Sequence, residues 1–193
     1  MKIGCIAFTS FTTKSDKSGD DVLEAISSIF LEPSKFVSIV IDNDREQLRK
    51  ALIKLCDDEK CPLVLTLGHT GPGENDFTPD VTMEIVDRKL PGFGEIMRFY
   101  SYERFKVSVL SRAEAGVRGK SLVINLPAKS KPAKFCLKLL QEGIAEALEQ
   151  ISGSKPGLRG DQIELPVDKY LPFLKKLRPK INPDEPPSVP LIR

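Results

Sequence analysis

Apolar residues along the chain fall into two alternating kinds of run. "KIGCIAF" (2–8), "FVSIVI" (36–41), "PLVLTLG" (62–68), "KVSVL" (106–110) and "SLVINL" (121–126) are short, rich in Val and Ile, and read as strands. Several are apolar almost throughout, as expected of strands covered on both faces. Between them the apolar spacing lengthens to that of helices. Val22, Ala25, Ile26 and Ile29 share one face in 20–31, and Leu48, Ala51, Leu52 and Leu55 share one in 44–57. Asn43 followed by Glu46 has capping-box-like spacing, and Thr78-Pro79 opens a helix as N-cap and N1. Further helices are expected over about 132–151 and 168–177.

Strand alternating with helix predicts an α/β fold of three layers, a largely parallel sheet with helices on both faces. One domain is expected over 1–178, with a Gly/Ser/Pro-rich connector at 152–160 inside it. A proline-rich tail follows at 179–193 and reads as extended.

Composition narrows the function classes. The 193 residues are 40% hydrophobic and 29% charged, in the range of globular domains with a real core. No apolar run approaches the roughly 18 residues needed to span a bilayer, and "MKIGCIAFTS" reads as a first strand rather than a signal-peptide core. No membrane partner and a cytoplasmic location are expected. A net charge of +2 is too weak to argue for nucleic acid, although residues 153–193 carry 8 Lys+Arg against 5 Asp+Glu. Cys5, Cys56, Cys61 and Cys136 form neither a disulfide framework nor a zinc pattern, and read as buried thiols.

The candidate chemistry concentrates in "LTLGHTGPGENDFTPD" (65–80). In an open parallel sheet, ligands bind outside the carboxyl ends of the strands, and this loop follows the third strand. Gly68, Gly71 and Gly73 let backbone N–H groups approach an oxyanion, a helix N-terminus follows, and Thr66, Thr70 and Thr78 offer hydroxyls. A demanding structural turn explains the same residues. Neither the P-loop pattern nor the dinucleotide glycine fingerprint is present.

With its surroundings the loop becomes specific. "LTLGHTGPGENDFTPDVT", "LPGFGEIMR" and "VLSRAEAGVRGKSLVINLP", in that order, resemble the molybdopterin adenylyltransferase family of molybdenum-cofactor biosynthesis. The family motifs are Thr-Gly-Gly-Thr-Gly leading to Asp-x-Thr-Pro, then Pro-Gly-hydrophobic-Gly/x-Glu, Leu-Ser-Arg, Gly-x-Arg and Asn-x-Pro-Gly. The resemblance covers about 1–150 and is strongest over 62–127. It implies the molybdopterin-binding fold, a homotrimer, and transfer of AMP from ATP to the terminal phosphate of molybdopterin with Mg²⁺. On the same basis Asp76 matches the catalytic aspartate and would be the Mg²⁺ ligand, with an Asx-turn or cap acid as the alternative. Gly68, Thr70 and Gly71 match the phosphate cradle, with Thr78 at the helix start. Glu95 resembles a pterin contact or a salt-bridged surface acid. Ser111, Arg112 and Arg118 would bind phosphate or, for the arginines, serve the sheet edge.

The match is broken at ligand-facing positions. His69 replaces the second loop glycine, where a Cβ is strained if φ is positive. The family's Ser-Asp after the first strand appears as Thr9-Ser10, its loop being kept only in "SDKSG", with Asp16 and Gly19. The aspartate after the second strand aligns with Asn43, flanked by Asp42 and Asp44, either of which would replace it by a one-residue shift. Glu74 and Asn75 stand where the family often has a basic residue, and Ala128 replaces the last glycine of Asn-x-Pro-Gly. These changes leave open a non-catalytic protein on the same fold that binds a pterin or a protein partner.

Overall fold

The computed structural model describes residues 1–11, 18–31, 35–153 and 155–159. Its sheet has six strands: β1 (Lys2–Phe8), β2 (Lys35–Ile41), β3 (Leu63–Leu67), β4 (Arg88–Lys89), β5 (Ala115–Arg118) and β6 (Ser121–Leu126). They lie in the order β2-β1-β3-β6-β5-β4. The first four of that order are mutually parallel, while β5 runs antiparallel to β6 and β4 antiparallel to β5. The helices are α1 (Ser18–Ile29), α2 (Arg45–Ile53), α3 (Thr78–Ile85), α4 (Pro91–Arg104) and α5 (Ser130–Ser152). The expected three-layer, largely parallel architecture is what the chain forms.

Strand alternation divides the core into two. In β3, Leu63, Leu65 and Leu67 face a core shared with α1, α4 and α5, through Val22, Ile26, Met97, Leu137 and Ile144. Val64 faces the opposite core, where Leu48, Leu52, Val81 and Ile85 come from α2 and α3. Both faces are buried, which is why the sequences of β3 and β6 are apolar apart from Thr66, Ser121 and Asn125.

Several expected elements differ. Residues 106–110 form a 3₁₀ turn rather than a strand, with Val107 and Val109 75% and 65% exposed. The strand in that part of the sheet is β5, whose Ala-Gly-Val-Arg lacks a strong pattern. A Cβ at Gly116 would lie 2.9 Å from the Arg88 carbonyl oxygen, so glycine there lets β4 approach. Helix α4 carries no expectation from the sequence, because its first residues, Pro-Gly-Phe-Gly, resemble a turn. The cap of α2 is Asp44, not Asn43: its carboxylate accepts from the Gln47 amide at 2.7 Å. The stripe Leu48, Ala51, Leu52 and Leu55 is buried as expected, but the helix passes into a π turn at Lys54–Asp58. Phe77, not Thr78, is the cap residue of α3, and makes no side-chain cap bond. Met1–Asp161 is one compact unit. The helix expected over 168–177, the boundary at 178, Asp16 and the 179–193 tail lie outside the described residues.

Asn125 is a buried polar side chain at the boundary between elements. Its amide nitrogen donates to Thr66 Oγ1 (3.0 Å) and Thr82 Oγ1 (2.9 Å), and its carbonyl oxygen accepts from the Glu114 amide (3.3 Å). All of Asn125, Thr66 and Thr82 are fully buried. The asparagine therefore joins β3, β6, α3 and the start of β5. Asn125→Ala is expected to lower unfolding free energy by about 3 kcal/mol, because it strips partners from buried polar groups. Urea denaturation measures this.

Candidate functional site

A cavity of about 370 Å³ opens at the carboxyl ends of β3 and β6. Gly68, His69, Thr70, Gly71, Pro72 and Asp76 form one wall; Met97, Phe105, Val107, Leu110, Pro132 and Cys136 form an apolar one. Arg98, Ser111 and Lys129 add polar groups at its lining. The β3 loop therefore stands on the ligand side of the sheet, where topology predicts it.

The loop's shape follows from its backbone. Gly68 has φ +100° and His69 φ +51°, so two successive residues turn the chain through left-handed conformations. Amides of Gly68, Gly73, Asp76 and Thr78 are engaged internally, with the Leu126, Gly73 and His69 carbonyls and the Asp76 carboxylate. An anion would be met by other amides, of which Thr70 and Gly71 belong to cavity-lining residues. The Asp76 carboxylate accepts from the Gly73 amide at 3.0 Å through Oδ2, so the turn-forming reading holds. A Cβ on Gly71 would sit 2.7 Å from that same oxygen. Asp76 nonetheless lines the cavity, with its side chain 29% exposed.

Arg112 is a brace for this loop. Its guanidinium donates to the Gly71 carbonyl at 2.8 Å, to the Asp76 carbonyl, and to both Asp80 oxygens at 2.8 and 2.9 Å. The hydrogen bonds from Arg112, then its charge, hold the Asp80 carboxyl below its ordinary range despite the opposing effect of burial. Its backbone amide also donates to the Thr70 carbonyl at 2.7 Å. Its side chain thus lies against the loop.

The remaining expected residues separate into groups. Ser111 lines the cavity. Thr9 donates to Asp42 at 3.1 Å, and Ser10 Oγ lies 3.2 Å from His69 Nε2, which brings the first loop to the rim. Asn43 is exposed and, with Asp44 and Asp42, does not line the cavity. Thr78 is fully buried, and its hydroxyl has no partner among the described residues, so it meets no ligand in this arrangement. Glu95 is an exposed residue of α4 outside the lining. Arg118 lies at the amino-terminal end of the parallel strands, paired with Ser121, and grips Asp57 at 2.6 Å and the Ile85 carbonyl. That end is remote from the loop, so the motif arginine secures the sheet edge. Its helix being unexpected, Arg98 was not legible from the sequence; it donates to the Ala113 carbonyl and to Glu114.

Electrostatics around the cavity are modest. All four cysteines are free and buried, and burial pushes the Cys136 thiol at the cavity wall up to about 11, leaving it an inert apolar group. The His69 side chain is 9% exposed, and burial, the largest effect, lowers its pKa; the Asp76 charge and the Asn75 backbone oppose this. Among the described residues, no three His, Cys, Asp or Glu side chains gather to hold a metal.

His69 generates a pH prediction. The unfolded imidazole titrates near 6.5, and the folded one at lower pH, so the unfolded state binds more protons in between. Stability attributable to the neutral ring is present above about pH 6.5 and is lost as pH falls through the folded value. His69→Gln removes the titrating group. Its unfolding free energy should fall less than that of the wild type between pH 7.5 and 5.5, by denaturant titration at each pH; equal falls would mean the ring is not held neutral.

Comparison with known proteins bears on what this loop serves. A family model described as "Probable molybdopterin binding domain" matches residues 12–148. A molybdopterin adenylyltransferase of Helicobacter pylori (strain 26695) is 40% identical over 139 residues, 72% of this chain and 79% of that protein. One from Escherichia coli K12 is 33% identical over 150 residues, 76% and 75% of the two chains. The molybdopterin biosynthesis enzyme MoaB of Thermus thermophilus superposes with TM-score 0.70 at 28% identity, over 79% of this chain and 97% of that one. With more than half its length matched by the family model and its sheet shared with solved members, the chain belongs to the molybdopterin-binding domain family.

Proposed function

We propose that the protein is a molybdopterin adenylyltransferase, which transfers AMP from ATP to the terminal phosphate of molybdopterin. An oxygen of that phosphate bonds to the α-phosphorus of ATP, and the bond to the leaving pyrophosphate breaks. The observation that carries this reading is the β3 loop. Asp76 and the Thr70–Gly71 backbone line one cavity at the carboxyl ends of the strands, beside the N-terminus of α3.

The chemistry asks little of side-chain bases. A phosphate monoester has a second pKa near 6 and is largely ionised at neutral pH, so its attack needs no strong base. Positioning and charge neutralisation carry such reactions. The amides of Thr70 and Gly71 and the hydroxyls of Thr70 and Ser111 are suited to phosphate oxygens. Lys129 supplies positive charge at the rim. The apolar wall from Met97 to Leu110 suits a flat heterocycle, which both substrates carry.

Mg²⁺ fits the residues present. This cation is commonly held by one or two carboxylates together with substrate phosphates, and Asp76 offers one carboxylate facing the cavity. When bound, it would neutralise phosphate charge at the reacting α-phosphoryl group. Asp44 is engaged as a helix cap and Asp42 by Thr9, and neither lines the cavity, so the carboxylate offered there is that of Asp76.

Oligomeric state belongs to the same reading. Phe99, Tyr102 and Val109 are exposed apolar residues of α4 and the turn after it that lie outside the cavity, with Phe99 at 64%. A surface of this kind suits burial between subunits, and family resemblance favours a homotrimer. No helix among the described residues is long and apolar enough to cross a membrane. Free buried thiols suit the reducing cytoplasm we assign.

Incubation with molybdopterin, ATP and Mg²⁺ should yield adenylylated molybdopterin and pyrophosphate. Asp76→Asn should cut turnover by about 100-fold or more with little loss of stability, as expected for a charge acting on the transition state. Asp42→Asn and Asn43→Asp should each change turnover little, since neither residue lines the cavity. A wild type inert in this assay would replace the enzyme reading with that of a binding protein, and activity created by Asn43→Asp would locate the defect. Light scattering should give three times the chain mass, and Phe99→Asp should reduce it to a single chain; a wild-type monomer would refute the trimer.

A further inference from the structure

Two departures from the family motif meet in space. Ser10 stands where the family has aspartate and His69 where it has glycine, and Ser10 Oγ lies 3.2 Å from His69 Nε2. On the other side of the ring, Nδ1 lies 3.7 Å from Asp76 Oδ1. The imidazole is set edge-on to Phe8 with centroids 4.3 Å apart, and nearly parallel to Phe77, 6° between planes and centroids 6.1 Å apart. It occupies a left-handed backbone position, φ +51°, where glycine is the unstrained choice.

We propose that His69 is a positioning residue, a strut that ties Ser10 of the first loop to Asp76 of the third and fixes the direction of the Asp76 carboxylate. The geometry gives each atom a part. Asp76 Oδ2 is held by the Gly73 amide, which leaves Oδ1 to be oriented from outside the turn. With its proton on Nδ1, on the side where the Asn75 backbone and the Asp76 charge lie, the neutral ring accepts the Ser10 hydroxyl on Nε2; the 3.7 Å contact to Oδ1 is electrostatic rather than a hydrogen bond. The aromatic neighbours stop the ring from turning away. Packing alone asks only for an aromatic side chain; contact with two polar groups at opposite nitrogens needs an imidazole. The serine–histidine contact bridges the first and third loops. The effect on turnover rests on the adenylyltransferase reading above, but the strut itself does not.

Three variants separate positioning from packing. His69→Phe keeps a ring between Phe8 and Phe77 and removes both nitrogens. His69→Asn tolerates positive φ and returns a polar group near the Nδ1 position. Ser10→Ala removes the far partner. Second-sphere contacts of a metal-binding carboxylate are commonly worth 10- to 100-fold, so His69→Phe should raise the Mg²⁺ needed for half-maximal turnover by about tenfold or more. The KM for molybdopterin should stay near its original value, and His69→Asn should recover part of the loss. Ser10→Ala should cause a smaller rise and add nothing in the His69→Phe background, because the contact it removes is already gone. As the chain's only histidine, His69 gives a single imidazole signal pair in ¹⁵N-edited NMR. It should read as the Nδ1–H tautomer, and Ser10→Ala should shift Nε2.

A wild-type Mg²⁺ response in His69→Phe overturns the proposal, as do fully multiplicative effects of the two substitutions. So does an Nε2–H tautomer indifferent to Ser10→Ala. If His69→Phe does not fold, His69→Asn and Ser10→Ala carry the same comparison. If the wild type makes no adenylylated product, the functional reading fails, and the imidazole spectrum still decides the strut.

Discussion

The arrangement of the cavity depends on how an irregular loop is held at the end of a buried strand. Residues 68–77 follow β3 and leave several carbonyls outside any strand or helix, and buried carbonyls must find donors. Arg112 supplies them. One planar guanidinium takes the Gly71 and Asp76 carbonyls and the Asp80 carboxylate together, while its own amide takes Thr70. Lysine has neither the fork geometry nor enough fixed donors for this task. Through that clamp the direction of the loop is fixed to the segment preceding β5, and so to the sheet.

Asn125 does the comparable work one layer deeper. It lies in β6, next to β3, and its side chain reaches the Thr66 hydroxyl within β3 and the Thr82 hydroxyl within α3. The strand that launches the loop and the helix that receives it are thereby tied at one buried point. Arg112 above and Asn125 below leave the loop little freedom to rearrange, which suits a site that acts by holding charged groups in place. We assign His69 as the third support, from the side.

Functional groups sort by which end of the sheet they reach. Two motif arginines look alike in sequence, each beside apolar residues and near a glycine or serine. Arg112 lies by the cavity and serves its loop; Arg118 pairs with Ser121 at the other end and serves the Asp57 edge. The acids divide similarly. Asp76 faces the cavity, Asp44 ends a helix, and Asp42 receives Thr9 on the rim.

The sequence determined most of the scaffold. Apolar runs at 2–8, 36–41, 63–67 and 121–126 specify strands, of which β3 and β6 are buried on both faces while β2 lies at the sheet edge, and the helical stripes of α1, α2 and α5 follow from spacing alone. The position of the β3 loop at a ligand-bearing end follows from alternation of strand and helix, and Gly68 and Gly71 from the backbone such a turn requires. What it left undetermined is physically of one kind. The run at 106–110 has strand periodicity, but periodicity reports only that a surface wants cover, not which surface provides it; here it lies exposed beside α4. The weak sequence of β5 becomes a strand because β6 and β4 flank it, and α4 forms in spite of its glycines because Met97 and Gly94 pack against the core. The roles of Arg112, Arg118 and Thr78, and the meeting of Ser10 with His69 across 59 positions, rest on contacts between residues far apart in the chain. Local pattern encodes what a residue can do, and only tertiary packing chooses its partner, because that choice depends on distances the linear spacing does not contain.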